Sequence, residues 1–335
     1  MRNYTEGNFT LEELNNDMRK KLLAPLVYLL VLTSIGIPGN IFVIFIFKQY
    51  KKDVFRTIIL NLALVDIVFC VIGIPFNIVR ILYYYTFKIT WICQVFVGVL
   101  DFGIMYSTHL LMLLSIHRFR QICTPLKSQI TQKNVKYFVL CCSFIGLTLS
   151  APQIAVLQPL EKIQLTNNIT GLICAVTWKD SPTYWRAYNF FLTGLFLSYA
   201  SILFAIYTLI GKKIIFAHRA RQKTSAAITA TETLSNKMTK IAFTVSVVFA
   251  ISYLPLFINE LVSKGVIQSE LTPLQFATLK ITERSYLINH VANPFIYAAF
   301  DHRFRHKLKT LCRCTKNTSQ NNQNVDFNNI YIVNL

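Results

Sequence analysis

Apolar residues in this chain fall into seven long runs separated by shorter polar segments. The runs cover Leu23–Phe47, Thr57–Tyr83, Cys93–Cys123, Tyr137–Leu157, Tyr184–Ile210, Met238–Val262 and Leu274–Phe300. At about 1.5 Å of helical rise per residue, each is long enough to cross the roughly 30 Å hydrocarbon core of a bilayer. The third run is the central rod of the seven, and only one acid, Asp101, interrupts it before its basic end at Arg118 and Arg120. After the last run, the segment Asp301–Leu311 sets Phe304, Leu308 and Leu311 against Arg303, Arg305, Lys307 and Lys309. That pattern suits a helix lying on a membrane surface. The expected fold is therefore all-α: a seven-transmembrane helix bundle over residues 23–300 with a short C-terminal amphipathic membrane-surface helix over 301–311. A polar extracellular tail, residues 1–22, precedes it. An Asn-rich cytoplasmic tail, residues 312–335, follows and is expected to be disordered.

Composition supports the membrane reading. Of 335 residues, 53% are hydrophobic and only 15% are charged, against roughly 25% charged in soluble domains. The formal charge of +19 would suggest nucleic acid, but its placement does not. The linkers after runs one, three and five, with their flanking ends and the C-terminal tail, hold most of the Lys and Arg. They carry only four acids, Asp53, Glu232, Asp301 and Asp326. The positive-inside rule then puts the N-terminus outside and the C-terminus in the cytoplasm of a multi-pass plasma-membrane protein. The positive face is one for membrane lipids and protein partners, with no nucleic acid. Residues 1–21 carry Glu6, Glu12, Glu13 and Asp17, so no cleavable signal peptide is expected and the first run serves as its own insertion signal.

Polar residues inside the runs carry the chemistry. Asp66 lies deep in IILNLALVDIVFCVIG, where an ionised carboxylate is costly unless paired, hydrated or bound to a cation. Ser107, Asn289 and Asn293 are candidates to converge on it from other helices, forming an oxygen-rich pocket for an allosteric sodium ion, with Asp66 as the metal ligand. The bland alternative is a protonated, hydrogen-bonded aspartate. No other cofactor is expected. Prolines 75, 152, 255 and 294 lie within apolar runs and tend to kink helices. Cys93 and Cys174 are placed outside, where an oxidising environment favours their pairing. Asn3, Asn8 and Asn168 each begin an Asn-x-Thr glycosylation pattern on the outer side. Cys312 and Cys314, just after the basic surface helix, are candidate palmitate sites. No Ser/His/Asp grouping is legible and no internal repeat is seen, so the expectation is not an enzyme and not a repeat-built transporter.

Together these residues resemble the rhodopsin-like G-protein-coupled receptors over Gly39 to Cys314. The family's motifs are matched by Gly39-Asn40, Leu62-Ala63-Leu64-Val65-Asp66, Trp91 before Cys93, and Asn293-Pro294-Phe295-Ile296-Tyr297. Phe249 and Pro255 fit the helix-six switch region and Phe304 the following helix. The resemblance implies an activation switch made of Arg118, Tyr207, Tyr253, Pro255, Asn293, Pro294 and Tyr297. It implies a heterotrimeric G protein as partner, with arrestin and a receptor kinase acting on the tail. The departures matter. The family's Asp-Arg-Tyr is His117-Arg118-Phe119, its helix-six tryptophan is Tyr253, its helix-four tryptophan is absent, and Tyr199 stands where helix five would carry proline. A neutral histidine holds Arg118 less firmly than a carboxylate does, so a looser resting state is expected.

The ligand reading is less direct. Leu100 stands where amine receptors of the family carry an aspartate, and Asp101 is one step, about 100°, around the helix. Lys280 is too near the outer end to serve as a retinal lysine. The outer halves offer Gln94, Asp101, Tyr253, Phe257, Asn259, Glu260, Glu283 and Tyr286 as ligand-binding candidates. Mixed charge with wide aromatic cover suits an extracellular peptide ligand bearing basic or amidated groups, such as a neuropeptide. A small lipid or metabolite is the alternative ligand, and a seven-helix channel or transporter the alternative to a receptor.

Overall fold

The computed structural model describes residues 10–156, 160–165, 169–174, 183–224, 230–262 and 271–311. Among the described residues, six single spans are long and apolar enough to cross a membrane. The seventh is present but broken in two. In chain order the elements are α1 (Leu11–Lys21), α2 (Leu23–Lys48), α3 (Val54–Val68), a π-helical turn (Phe69–Gly73) and α4 (Ile74–Leu82). Then come α5 (Thr90–Cys123), α6 (Val135–Val156), β1 (Leu160–Gln164), β2 (Thr170–Cys174), α7 (Thr183–Thr224), α8 (Ala230–Val262), α9 (Pro273–Thr282) and α10 (Leu287–Phe300). Residues 302–311 form α11. Large apolar side chains such as Phe45, Leu64, Phe144, Phe204, Ile251 and Phe295 face outward, which is the surface a bilayer covers.

Residues 11–21, read from the sequence as a polar tail, form a helix instead. A reciprocal cap starts it: the Glu13 amide donates to Thr10 Oγ1 (3.3 Å) and the Thr10 amide to Glu13 Oε2 (2.8 Å). The Thr10 backbone donor, and then its hydroxyl, hold the exposed Glu13 carboxyl below its ordinary range. Asn15 docks this helix on the outer end of α4. Its Nδ2 donates to the Leu82 carbonyl (3.0 Å) and its Oδ1 accepts from the Tyr85 amide (2.9 Å).

Proline and small residues shape the inner packing. Pro75 has no N–H to give to the preceding turn, and the chain widens to a π turn there, three residues beyond Asp66. Such turns relieve an interrupted bond ladder. Gly39 lets helix one meet helix seven: a Cβ there would sit 2.9 Å from Pro294 Cγ. Asn40 Nδ2 crosses the same contact to the His290 carbonyl (2.8 Å). α8 runs unbroken through Pro255. α7 also continues without a break past Tyr199, having no proline there. The Tyr199 hydroxyl instead meets His109 Nε2 at 2.9 Å, joining α7 to α5.

The turn at 283–286 interrupts the seventh span. Bonds to the third residue back tighten it, as in Arg284 N to Ile281 O (2.9 Å) and Leu287 N to Arg284 O (3.1 Å). Ser285 Oγ anchors the turn on the Ser252 carbonyl of α8 (2.6 Å). Outside, β1 and β2 pair antiparallel, Leu160 opposite Cys174 and Gln164 opposite Thr170. The Leu172 amide and carbonyl bond to Tyr85 O (2.8 Å) and Phe87 N (3.1 Å). The Cys93–Cys174 disulfide, with Cα atoms 5.8 Å apart, pins the hairpin to α5. Cys174→Ser opens a loop of 81 residues. It is expected to cost about 2–4 kcal/mol, read as a fall in Tm of the purified protein and loss of ligand response. An unchanged Tm and response would show that the hairpin holds without the bridge.

Candidate functional site

Three polar layers stack through the bundle from outside to inside. The outermost is a cavity of about 390 Å³. Asp101, Tyr253, Phe257, Glu283 and Tyr286 line it, together with Asn77, Arg80 and Arg284. Gln94 and Asn259 do not line it. Asn259 Nδ2 instead donates to Thr282 Oγ1 (2.9 Å), tying α8 to α9. The Glu260 side chain, Asn3, Asn8, Asn168, Cys312 and Cys314 lie outside the described residues.

The cavity is bipolar. Asp101 Oδ2 is buried with no hydrogen-bond partner among the described residues. Such an oxygen is costly until a donor reaches it. Two guanidinium groups line the cavity as well. Arg80 Nε donates to the Cys174 carbonyl (3.0 Å). Arg284 Nη1 donates to the Lys280 carbonyl (2.7 Å), while its buried Nε has no partner among the described residues. Glu283 is held mainly by Lys280, at 2.9 and 3.2 Å, and lies 3.5 Å from Arg284. Arg80 was missed in the sequence. It lies one turn beyond Phe76 in an apolar run, where a single cation reads as an interfacial anchor. The tightened turn at 283–286 is what presents Glu283, Arg284 and Tyr286 together.

The floor is aromatic. Tyr253 lies between the cavity and the core, with ring centroids 4.7 Å from Phe249 and 6.0 Å from Tyr286. Phe196 stacks on Phe257 at 4.2 Å. Below it is the second layer, around the fully buried Asp66. Asn293 Nδ2 reaches one carboxylate oxygen (2.7 Å), and the other is met by His290 Nδ1 (2.8 Å). Ser107 and Asn289, expected to converge here, do not bond Asp66. Ser107 Oγ donates to the Ile104 carbonyl (3.0 Å), and Asn289 Oδ1 is buried without a partner among the described residues. His290 was legible only as a residue three places before Asn293, hence on a shared helix face.

The third layer surrounds Arg118 and Tyr207, near the inner face. Arg118 is buried and is within ion-pair distance of no carboxylate among the described residues. Its guanidinium donates to Gln121 Oε1 (2.8 Å) and contacts Met238 Sδ on α8 (3.4 Å). The same group lies 4.7 Å from the Phe55 ring centre. The preceding His117 is buried with its Nδ1 unpartnered among the described residues. The Tyr207 hydroxyl sits between Ser115 Oγ (2.9 Å) and Ser246 Oγ (3.2 Å). Tyr297 packs edge-on to Phe47 and Phe304. Contact of Arg118 with Met238 joins α5 to α8 at the inner face, a closed arrangement.

A family model described as "7 transmembrane receptor (rhodopsin family)" matches residues 39–297. The chain belongs to this family. It is thus a receptor of the rhodopsin class, a multi-pass plasma-membrane protein whose generic partners are an outer ligand and an inner G protein, receptor kinase and arrestin. Among similar proteins, the C3a anaphylatoxin chemotactic receptor of Danio rerio is 25% identical, covering 88% of this chain and 76% of that receptor. The type-1 angiotensin II receptor A of Xenopus laevis is 25% identical over 84% of this chain and 76% of its own length. The neuropeptide Y receptor type 2 of Mus musculus is 24% identical over 89% and 79%.

Proposed function

We propose that this receptor binds an extracellular peptide in the outer cavity and activates a heterotrimeric G protein by opening its cytoplasmic face. The observation that carries this reading is the bipolar cavity, lined by Asp101 together with Arg80 and Arg284, with Tyr253 among its aromatic residues. A peptide end presents both donors and acceptors to such walls, whereas an alkyl chain would leave buried charges unpaired. The similar receptors named for C3a, angiotensin II and neuropeptide Y support a peptide, and a neuropeptide is the finer reading. Receptor kinase and arrestin would act on Thr310, Thr315, Thr318 and Ser319, and palmitate on Cys312 and Cys314.

The test is a screen of basic and amidated peptides, beside lipids and small metabolites, on cells expressing the chain, read by G-protein dissociation. Hits confined to lipids or small metabolites would overturn the peptide reading. For a peptide hit, Asp101→Asn removes the charge that takes a ligand donor. Losing a charged hydrogen bond costs about 1.5–3 kcal/mol, so potency is expected to fall roughly 10- to 100-fold. Unchanged potency would place the ligand away from α5.

A further inference from the structure

The second layer differs from a cation pocket in one decisive respect. A hard cation needs a cage of oxygen ligands, and the anion that would anchor it here is Asp66. Both Asp66 oxygens already face nitrogen, at 2.8 Å from His290 and 2.7 Å from Asn293. The histidine is fully buried. Its ring lies flat on Phe69, with centroids 3.7 Å apart and planes 8° apart. Phe69 in turn is pressed on Gly103 of α5, where a Cβ would come within 2.5 Å of the Phe69 ring. Gly103 of α5, Phe69, His290 and Asp66 are therefore packed one on the next. The Oδ1 atoms of Asn289 and Asn293, without a partner among the described residues, accept hydrogen bonds, which water supplies. What sodium would add is a partner for the Asp66 carboxylate, and the imidazole already stands at that place.

The imidazole also points the other way. Its Nε2 lies 3.5 Å from the Tyr253 hydroxyl, and Tyr253 lines the ligand cavity. One ring thus bridges the cavity floor on α8 to Asp66 on α3. We propose that His290 takes the place of a core cation: it is a positioning residue that bridges Asp66 to Tyr253, and the receptor takes no sodium there. The residues expected to hold sodium do not fit it as they are arranged. This proposal does not depend on which ligand fills the cavity.

The experiment needs no ligand. The full chain is purified in detergent, and Tm is measured in sodium chloride against choline chloride at equal ionic strength. The parent protein is expected to show no sodium-specific shift. His290→Asn, which removes the ring and leaves oxygen in its place, is expected to gain a sodium-specific rise of about 3 °C or more. His290→Asn combined with Asp66→Asn is expected to lose that rise. A sodium-specific rise in the parent protein would overturn the proposal, and that arm stands even if the variants fold poorly. A parent and a folded His290→Asn that are both indifferent to sodium would also overturn it, since the ring would not then be what excludes the ion. His290→Ser serves as a second, smaller replacement with the same expected gain.

Discussion

Lys237→Gln is expected to raise basal G-protein nucleotide exchange roughly 5- to 30-fold at matched surface expression. Lys237, at the inner end of α8, places its Nζ 3.0 Å from Asp301 Oδ1, at the junction of α10 and α11. Asp301 is buried, with its side chain 4% exposed against 23% for Lys237. The same carboxylate caps α11 through the Arg303 amide (2.9 Å) and accepts from the Tyr50 hydroxyl (3.2 Å). Burial first, then the neighbouring Asp301 charge, push the Tyr50 phenol well above its usual range, so it remains a donor. Asp301 is thus fixed in place, and moving α8 outward strands it without its cation. Breaking a fully buried pair costs about 3–5 kcal/mol. Partial exposure of Lys237 reduces this to about 1–2 kcal/mol, which sets the expected range. Asp301→Asn retains an oxygen for the cap and is expected to raise basal exchange as well. The double variant is expected to rise no further than either single one, as for two halves of one contact. Lys237→Gln at the parental basal level would show that this pair does not hold the inner face shut.

The seven spans were legible because a bilayer admits few solutions: about 20 apolar residues in a row must be helix. Where spans break was not legible. The π turn at Phe69–Gly73 and the tightened turn at 283–286 depend on what packs beside them, Gly103 against Phe69 and the Ser252 carbonyl against Ser285. Helices α7 and α8 extend past the apolar runs into the basic linker, where hydropathy falls but helix continues. The α1 cap, Thr10 followed three residues later by Glu13, was written in the sequence and was outweighed by the polar composition of the segment. In the sites, partners on one helix could be inferred from spacing. Partners between helices could not. Nothing in the order of residues says that Asp66 meets His290 rather than Ser107, or that Arg80 from helix two shares a cavity with Arg284 from helix seven.

The inner switch has the other large effect. His117→Asp is expected to lower basal nucleotide exchange about tenfold, opposite in sign to Lys237→Gln. In the closed arrangement Arg118 is held by Gln121, by a sulfur contact to Met238 and by the Phe55 ring. Each of these partners is neutral. Arg118 Nε and His117 Nδ1 are both buried and unpartnered among the described residues, so two polar groups already lack compensation there. A carboxylate at residue 117 would offer Arg118 a charge-assisted bond worth about 1.5–3 kcal/mol. Its own desolvation takes back part of that gain, leaving about 1–1.5 kcal/mol, close to a factor of ten. The gain exists only while Arg118 stays beside helix three, so it favours the closed state and leaves the open one unassisted. His117→Asn, of similar shape but uncharged, separates the charge effect from simple loss of the ring and is expected to stay near the parent. Basal exchange in His117→Asp equal to the parent would mean that the neutral partners already hold Arg118 as firmly as an acid does.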